Sequence, residues 1–100
     1  LKNHHMHYPR HLKSGYYAAL AGIFIQLGDL DQAILAYEQA VQIYPNREDA
    51  WRILETLAHL YLQQGDTGSA LFYAQNAHNM APEDQKERLG ELISIIKNQN

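Results

Sequence analysis

Between Arg47 and Gln64 the apolar residues Trp51, Leu54, Leu57, Ala58 and Tyr61 recur at steps of three and four. That spacing predicts one buried face of a helix. Gly65 is placed to stop it, because a residue without Cβ takes φ > 0 without strain. Asp66 can then N-cap a following helix that carries Ala70, Tyr73, Ala74 and Ala77, with Pro82 beyond. The same grammar appears earlier in the chain. Gly28 ends one helical pattern, and Asp29 and Gln32 have the spacing of a capping box. The next pattern holds Ala33, Ile34, Tyr37, Ala40 and Val41, with Pro45 past its end. After Pro82, Leu89, Leu92, Ile93 and Ile96 form an i, i+3, i+4, i+7 stripe. The polar residues Glu83, Asp84, Lys86, Glu87, Arg88 and Glu91 supply a solvated face. No stretch sustains period-two alternation, so no sheet is expected.

These patterns repeat. Leu27-Gly28-Asp29 is answered 37 residues later by Gln64-Gly65-Asp66, and Ala33, Ala40 and Pro45 by Ala70, Ala77 and Pro82. Tyr8-Pro9 matches Tyr44-Pro45 at an offset of 36. On these residues the chain resembles the tetratricopeptide repeat, a helix–turn–helix unit of about 34 residues. Residues 14–47 fit without a gap. Tyr17 stands at the family's Trp position, Leu20-Ala21 at its Leu-Gly pair and Phe24 at its Tyr position. Gly28-Asp29 forms the turn, and Ala33, Tyr37, Ala40 and Pro45 the second-helix signature. A second unit fits through Leu54, Leu57, Ala58, Tyr61, Gly65-Asp66, Ala70, Ala74, Ala77 and Pro82. There are departures. Glu48 to Ala50 intervene between the units, Trp51 precedes the usual Trp position, and Ala74 replaces an aromatic. We read them as a longer first helix in the second unit.

The resemblance implies an all-α, right-handed α-solenoid of antiparallel helix pairs. The organisation expected is a basic, His-rich segment or repeat remnant over 1–13, repeats over 14–47 and 48–84, and a capping helix with tail over 85–100.

Composition narrows the function classes. Hydrophobic residues make up 46% and charged residues 19%, as in a folded domain rather than a disordered one. With 8 Lys+Arg against 11 Asp+Glu the formal charge is −3, which argues against nucleic acid or an anionic membrane as partner. No apolar run approaches the ~20 residues that span a bilayer. There is no Cys, hence no disulfide, thiolate metal site or cysteine nucleophile, which slightly favours the cytoplasm and leaves the periplasm open. The start Leu1-Lys2-Asn3 is not Met-initiated and lacks a signal-peptide pattern, so a processed product or an excised part of a longer chain is expected.

Candidate chemistry is sparse. His4, His5, His7 and His11 invite a metal reading, since His7 and His11 have i, i+4 spacing. Pro9 lies between them and works against a continuous helix, and no carboxylate accompanies them in the segment. No metal and no cofactor is expected. His59 falls at a groove position, and His78 at one that faces outward. Glu48-Asp49 sits where a helix begins and favours its dipole. The repeat tyrosines match packing positions or their neighbours. There is no P-loop, nucleophile elbow or zinc spacing, so no enzyme activity is expected.

In the family that the chain resembles, the first helix of each repeat lines a concave groove. The corresponding residues here are Gly15, Ala18, Ala19, Gly22, Ile25 and Gln26, then Arg52, Glu55, Thr56, His59, Leu62 and Gln63. The first four are all small, which lets a partner backbone approach, or lets residues 1–9 or an upstream repeat pack there. The family's carboxylate clamp needs Lys and Asn where Ala18 and Gly22 stand, so a chaperone-tail receptor is not expected. The resemblance implies a scaffold or adaptor for complex assembly that binds a peptide, helix or partner subunit. The alternatives are an accessory domain of a larger enzyme or assembly complex, and self-association through exposed solenoid ends.

Overall fold

The computed structural model describes residues 9–99. They form five helices and, among the described residues, no strand: α1 (Arg10–Gln26), α2 (Leu30–Ile43), α3 (Ala50–Gln63), α4 (Thr67–Met80) and α5 (Glu83–Lys97). α1 packs on α2 and α3 on α4 as antiparallel pairs, and α5 closes against α4. This is the all-helical solenoid expected from the repeat.

The turns within pairs follow local rules. Gly28 and Gly65 hold φ of 79° and 81°, and no other described residue has positive φ. The Asp29 carboxylate accepts from the Gln32 backbone N–H at 3.2 Å. Asp66 accepts from the Ser69 N–H at 3.0 Å and from its hydroxyl at 2.8 Å. Each bond from a backbone N–H satisfies one of the four such groups that a helix start leaves without a partner.

Three boundaries differ from the sequence expectation, the simplest being that of the last helix, which starts at Glu83 rather than at residue 85. α1 begins at Arg10, with Pro9 at its N-cap, so residues 10–13 belong to the first helix rather than to a separate segment. α3 is not lengthened. It has 14 residues, the same as α2 and α4, and starts at Ala50. The extra residues lie mostly in the connection. There the Arg47 N–H donates to the Tyr44 carbonyl at 3.2 Å and the Ala50 N–H to the Arg47 carbonyl at 3.0 Å. The Arg47 guanidinium holds Asp49 with Nε at 2.6 Å and Nη2 at 3.1 Å, and its Nη1 donates to Ser14 Oγ at 2.7 Å. Asp49 is the N-cap residue of α3 but makes no side-chain cap bond. Its carboxylate serves Arg47 instead, which holds it below the usual carboxylate range. Ser14 is fully buried and donates onward to the Ala40 carbonyl at 2.7 Å. One serine thus ties α1, the end of α2 and the connection together.

The main core joins Ala33, Ile34 and Ala40 of α2 to Trp51, Ile53, Leu54, Leu57 and Leu60 of α3, and continues to Ala77, Ala81 and Leu89. Tyr17 and Phe24 of α1 pack against it. A second cluster joins Ala58, Ala70, Ala74 and Ile96. Leu57 and Leu89 are completely buried, each contributing roughly 1.5–3 kcal/mol in area removed from water. Where Ala74 replaces an aromatic, Tyr61 and Tyr73 stack beside it at 5.6 Å between centroids. Both hydroxyls donate to the same oxygen of Glu38, Oε2, at 2.7 Å. Burial first, and this carboxylate second, push the Tyr61 phenol up to about 12 and the Tyr73 phenol higher than usual.

Candidate functional site

The candidate groove expected from the repeat takes one face each of α1 and α3. On α1, Gly15, Ala18, Ala19 and Gly22 share a face, with Ile25 and Gln26 at its end. Ala19, Ile25 and Gln26 are exposed, and Gly15, Ala18 and Gly22 are half-buried. A Cβ on Gly15 or Gly22 would meet nothing within 4 Å among the described residues. Packing within the described chain therefore does not require those two positions to be glycine. Ala18 differs from its neighbours, since it also packs against the main core.

On α3 the corresponding face is polar and partly engaged. The Arg52 guanidinium lies 5.1 Å from the Trp51 ring centroid, within cation–π range. The Thr56 hydroxyl donates back to the Arg52 carbonyl at 2.9 Å, a helix-internal bond rather than one directed into the groove. Glu55 is bound by Arg88 of α5 through both terminal nitrogens, with Nη2 to Oε1 at 3.1 Å. His59 Nε2 stands 3.7 Å from the same carboxylate. The Arg88 hydrogen bond is the main reason that Glu55 ionises below the usual carboxylate range. Leu62 is half-buried against the second core cluster, so it serves packing as well as lining. His59 and Gln63 are exposed.

Sequence reasoning missed the contribution of α5. Arg88 also takes Gln85 Oε1, at 3.1 Å from Nε and 2.9 Å from Nη2, so a cation is held beside Glu55 and His59. A signal for it was present. Arg88 and Ile95 lie 36 positions after Arg52 and His59, and Ile95 is exposed. The segment after Pro82 already reads as a first helix, and carrying the candidate groove positions onto it would have picked out both.

The other candidates stand apart from this face. His11 lies exposed in the first turn of α1, and His4, His5 and His7 lie outside the described residues. Among the described residues no group of three or more His, Asp or Glu is placed to hold a metal ion. The His78 carbonyl accepts from Lys86 Nζ at 2.7 Å, which ties the end of α4 to α5. The tyrosines split. Tyr17, Tyr37, Tyr61 and Tyr73 pack against the core, whereas Tyr16 is exposed and meets Tyr17 edge-on at 5.2 Å. No helix among the described residues is long and apolar enough to cross a membrane.

Comparison with known proteins agrees with this architecture. A tetratricopeptide repeat model matches residues 13–83. The chain is also similar to Protein CTR9 homolog of Arabidopsis thaliana, 33% identical over 79 residues. That alignment covers 77% of this chain and 7% of the relative, so the chain corresponds to a small part of that protein's length. With five helices in repeat order, glycine turns at corresponding places and a family match across most of its length, the chain belongs to the tetratricopeptide repeat family, whose domains generally mediate protein–protein interaction without catalysis.

Proposed function

We propose that this domain is a scaffold or adaptor that binds a peptide, a helix or a partner subunit in the groove between the inner faces of α1, α3 and α5. The observation that carries the reading is the contrast along that face. α1 offers Gly15, Ala18, Ala19 and Gly22, with open space beside both glycines, and α3 and α5 offer Arg52, Glu55, His59 and Arg88. Small residues let a backbone come close, and the polar set beyond them supplies orientation. Close approach with few anchoring groups suits an extended or helical protein segment better than a small molecule.

The test compares proteins captured by the parent chain with those captured by variants. Ala19→Arg adds bulk and charge to the small face and should abolish capture of groove-dependent partners while the helical circular dichroism stays intact. Arg52→Ala and His59→Ala should weaken the same partners less. Gln75→Arg, on an exposed site of the outer helix α4, should leave them unchanged. Equal capture by the parent and by Ala19→Arg would show that the groove is not the site.

A further inference from the structure

The first helices of the array do not begin alike. α1 starts straight after Pro9 and α5 straight after Pro82, each with its proline at the N-cap. Pro45 precedes α3 in the same way, yet residues 46–49 intervene before Ala50, where that helix begins. α1 spans 17 residues, and the stretch 37 positions later, residues 47–63, has the same length, whereas α3 has 14. A first helix one turn longer therefore fits this repeat. The intervening segment is close to helical already. The Arg47 N–H bond to the Tyr44 carbonyl and the Ala50 N–H bond to the Arg47 carbonyl are both i→i+3 bonds, the 3₁₀ pattern of helix ends. Asp49 has φ −100° and ψ 20°, at the edge of the helical region. A proline ahead and the carboxylates of Glu48 and Asp49 suit the first turn of a helix. One side chain opposes it. Arg47, 17% exposed, donates to the buried Ser14 hydroxyl of α1 and holds the Asp49 carboxylate. This leaves α3 without the side-chain cap that Asp29 and Asp66 give α2 and α4.

We propose that residues 46–49 are a two-position joint between the helix pairs, clasped by Arg47 in the turn form and added to α3 as one more helical turn when the clasp is released. The two forms exchange unlike bonds. The helical form gives up the charge-assisted bonds of Arg47 and gains i→i+4 backbone partners for amides at the start of α3. With the clasp intact the turn form dominates. Straightening the chain at Arg47 changes the direction in which α2 leads into α3, so the α1–α2 pair turns relative to the α3–α4 pair. Ser14 directly precedes Gly15, and Asp49 lies three residues before Arg52. The joint thus sits at the head of both candidate groove helices and sets their spacing. Neither form needs a bound partner, so both are tested on the chain alone, independently of the groove reading.

Backbone NMR of the 100-residue chain reads the joint directly. In Arg47→Ala the carbon chemical shifts of residues 46–49 should move from turn to helical values, and the helical ellipticity should rise by about one turn's worth. Adding Glu48→Pro should abolish both changes. A proline at this exposed position disfavours the helical conformation at position 47 and suits the turn that follows it. The chain has no Cys, so spin labels on Gln42→Cys and Gln75→Cys, exposed sites of α2 and α4, report the orientation of the pairs. Their distance should change in Arg47→Ala and return to the parent value when Glu48→Pro is added. Should Arg47→Ala fail to fold, Ser14→Ala, which leaves the Arg47–Asp49 pair in place, carries the same measurements with smaller shifts. Turn or random-coil shifts at residues 46–49 in the folded variant would overturn the proposal. So would helical shifts with the distance between α2 and α4 unchanged, since the added turn would then move nothing.

Discussion

The first and last helices of the array carry the same row of apolar positions and meet opposite fates. On α5, Leu89 and Ile96 are buried, while the positions where a second helix would pack hold Glu87, Gly90, Ser94 and Lys97. α5 therefore has one apolar face and one wet one, the composition of a cap. On α1, Ala21 is buried and Tyr17 and Phe24 pack against the core, and the outward row Tyr16, Leu20, Ile23 and Leu27 is apolar as well. α1 thus has the composition of α3, an interior helix with apolar faces on two sides. A capping helix is recognised by which of its two faces turned polar, and α1 has not made that change.

The sharpest way to break this comparison is to truncate the two rows in parallel. Leu89→Ala should cost about 2–5 kcal/mol, because a fully enclosed side chain leaves a cavity that neighbours fill only partly. Ile23→Ala should change monomer stability by no more than about 0.5 kcal/mol. Urea denaturation at low protein concentration measures both. Similar losses would mean that α1's outer row is already covered.

The second prediction concerns how α1 is held despite its open side. Ser14→Ala should cost about 1–3 kcal/mol, since it removes a buried hydrogen bond to the Ala40 carbonyl, which keeps only the Tyr44 N–H at 3.2 Å, and takes from an Arg47 N–H its partner. Thermal melts of the variant would show it. An unchanged melting temperature would mean that apolar packing alone secures the α1 end.

A third prediction uses pH to probe the middle of the array, where Glu38 of α2 joins Tyr61 of α3 to Tyr73 of α4. Tyr61 is raised to about 12 in the fold, against about 10 in an unfolded chain. The folded form prefers the protonated phenol, so its contribution is complete below about pH 10 and is lost as pH rises towards 12. Denaturation midpoints should fall over that range, with tyrosinate absorbance rising together with unfolding. Glu38→Ala should make the loss shallower without removing it, because burial is the larger cause for both phenols.

The smallest effect is expected where α3 meets α5 on the groove side. Arg88 is half exposed, so Glu55→Gln should cost less than about 1 kcal/mol. The contribution is present above the unfolded pKa of Glu, about 4.3, and disappears as pH falls through the lower folded value. A double-mutant cycle with Arg88→Met, at low and high salt, isolates it.

Much of this molecule follows from short-range rules that any single sequence carries. Gly28 and Gly65 stop helices because each takes a backbone conformation that a side chain would strain. Asp29 and Asp66 start the next helices because a carboxylate three residues ahead reaches an unpaired N–H. The steps of three and four place Leu54, Leu57, Leu89 and Ile96 inward whatever surrounds them. That Gly15, Ala18, Ala19 and Gly22 share one face of α1 was legible for the same reason, because the period of a helix is fixed.

What only the tertiary structure decided involves groups far apart in sequence whose polar atoms had several partners to choose from. Arg47 could have continued α3. It instead reaches Ser14, 33 residues away, and with that contact the connection stays a turn and Asp49 gives up its cap bond. Glu38 chose two tyrosine hydroxyls, 23 and 35 residues distant, and Arg88 chose Glu55, again 33 away. Whether Tyr16 was core or surface also depended on a neighbour. A helix period states which residues share a face, but not whether another helix lies against it, because burial is a property of the pair.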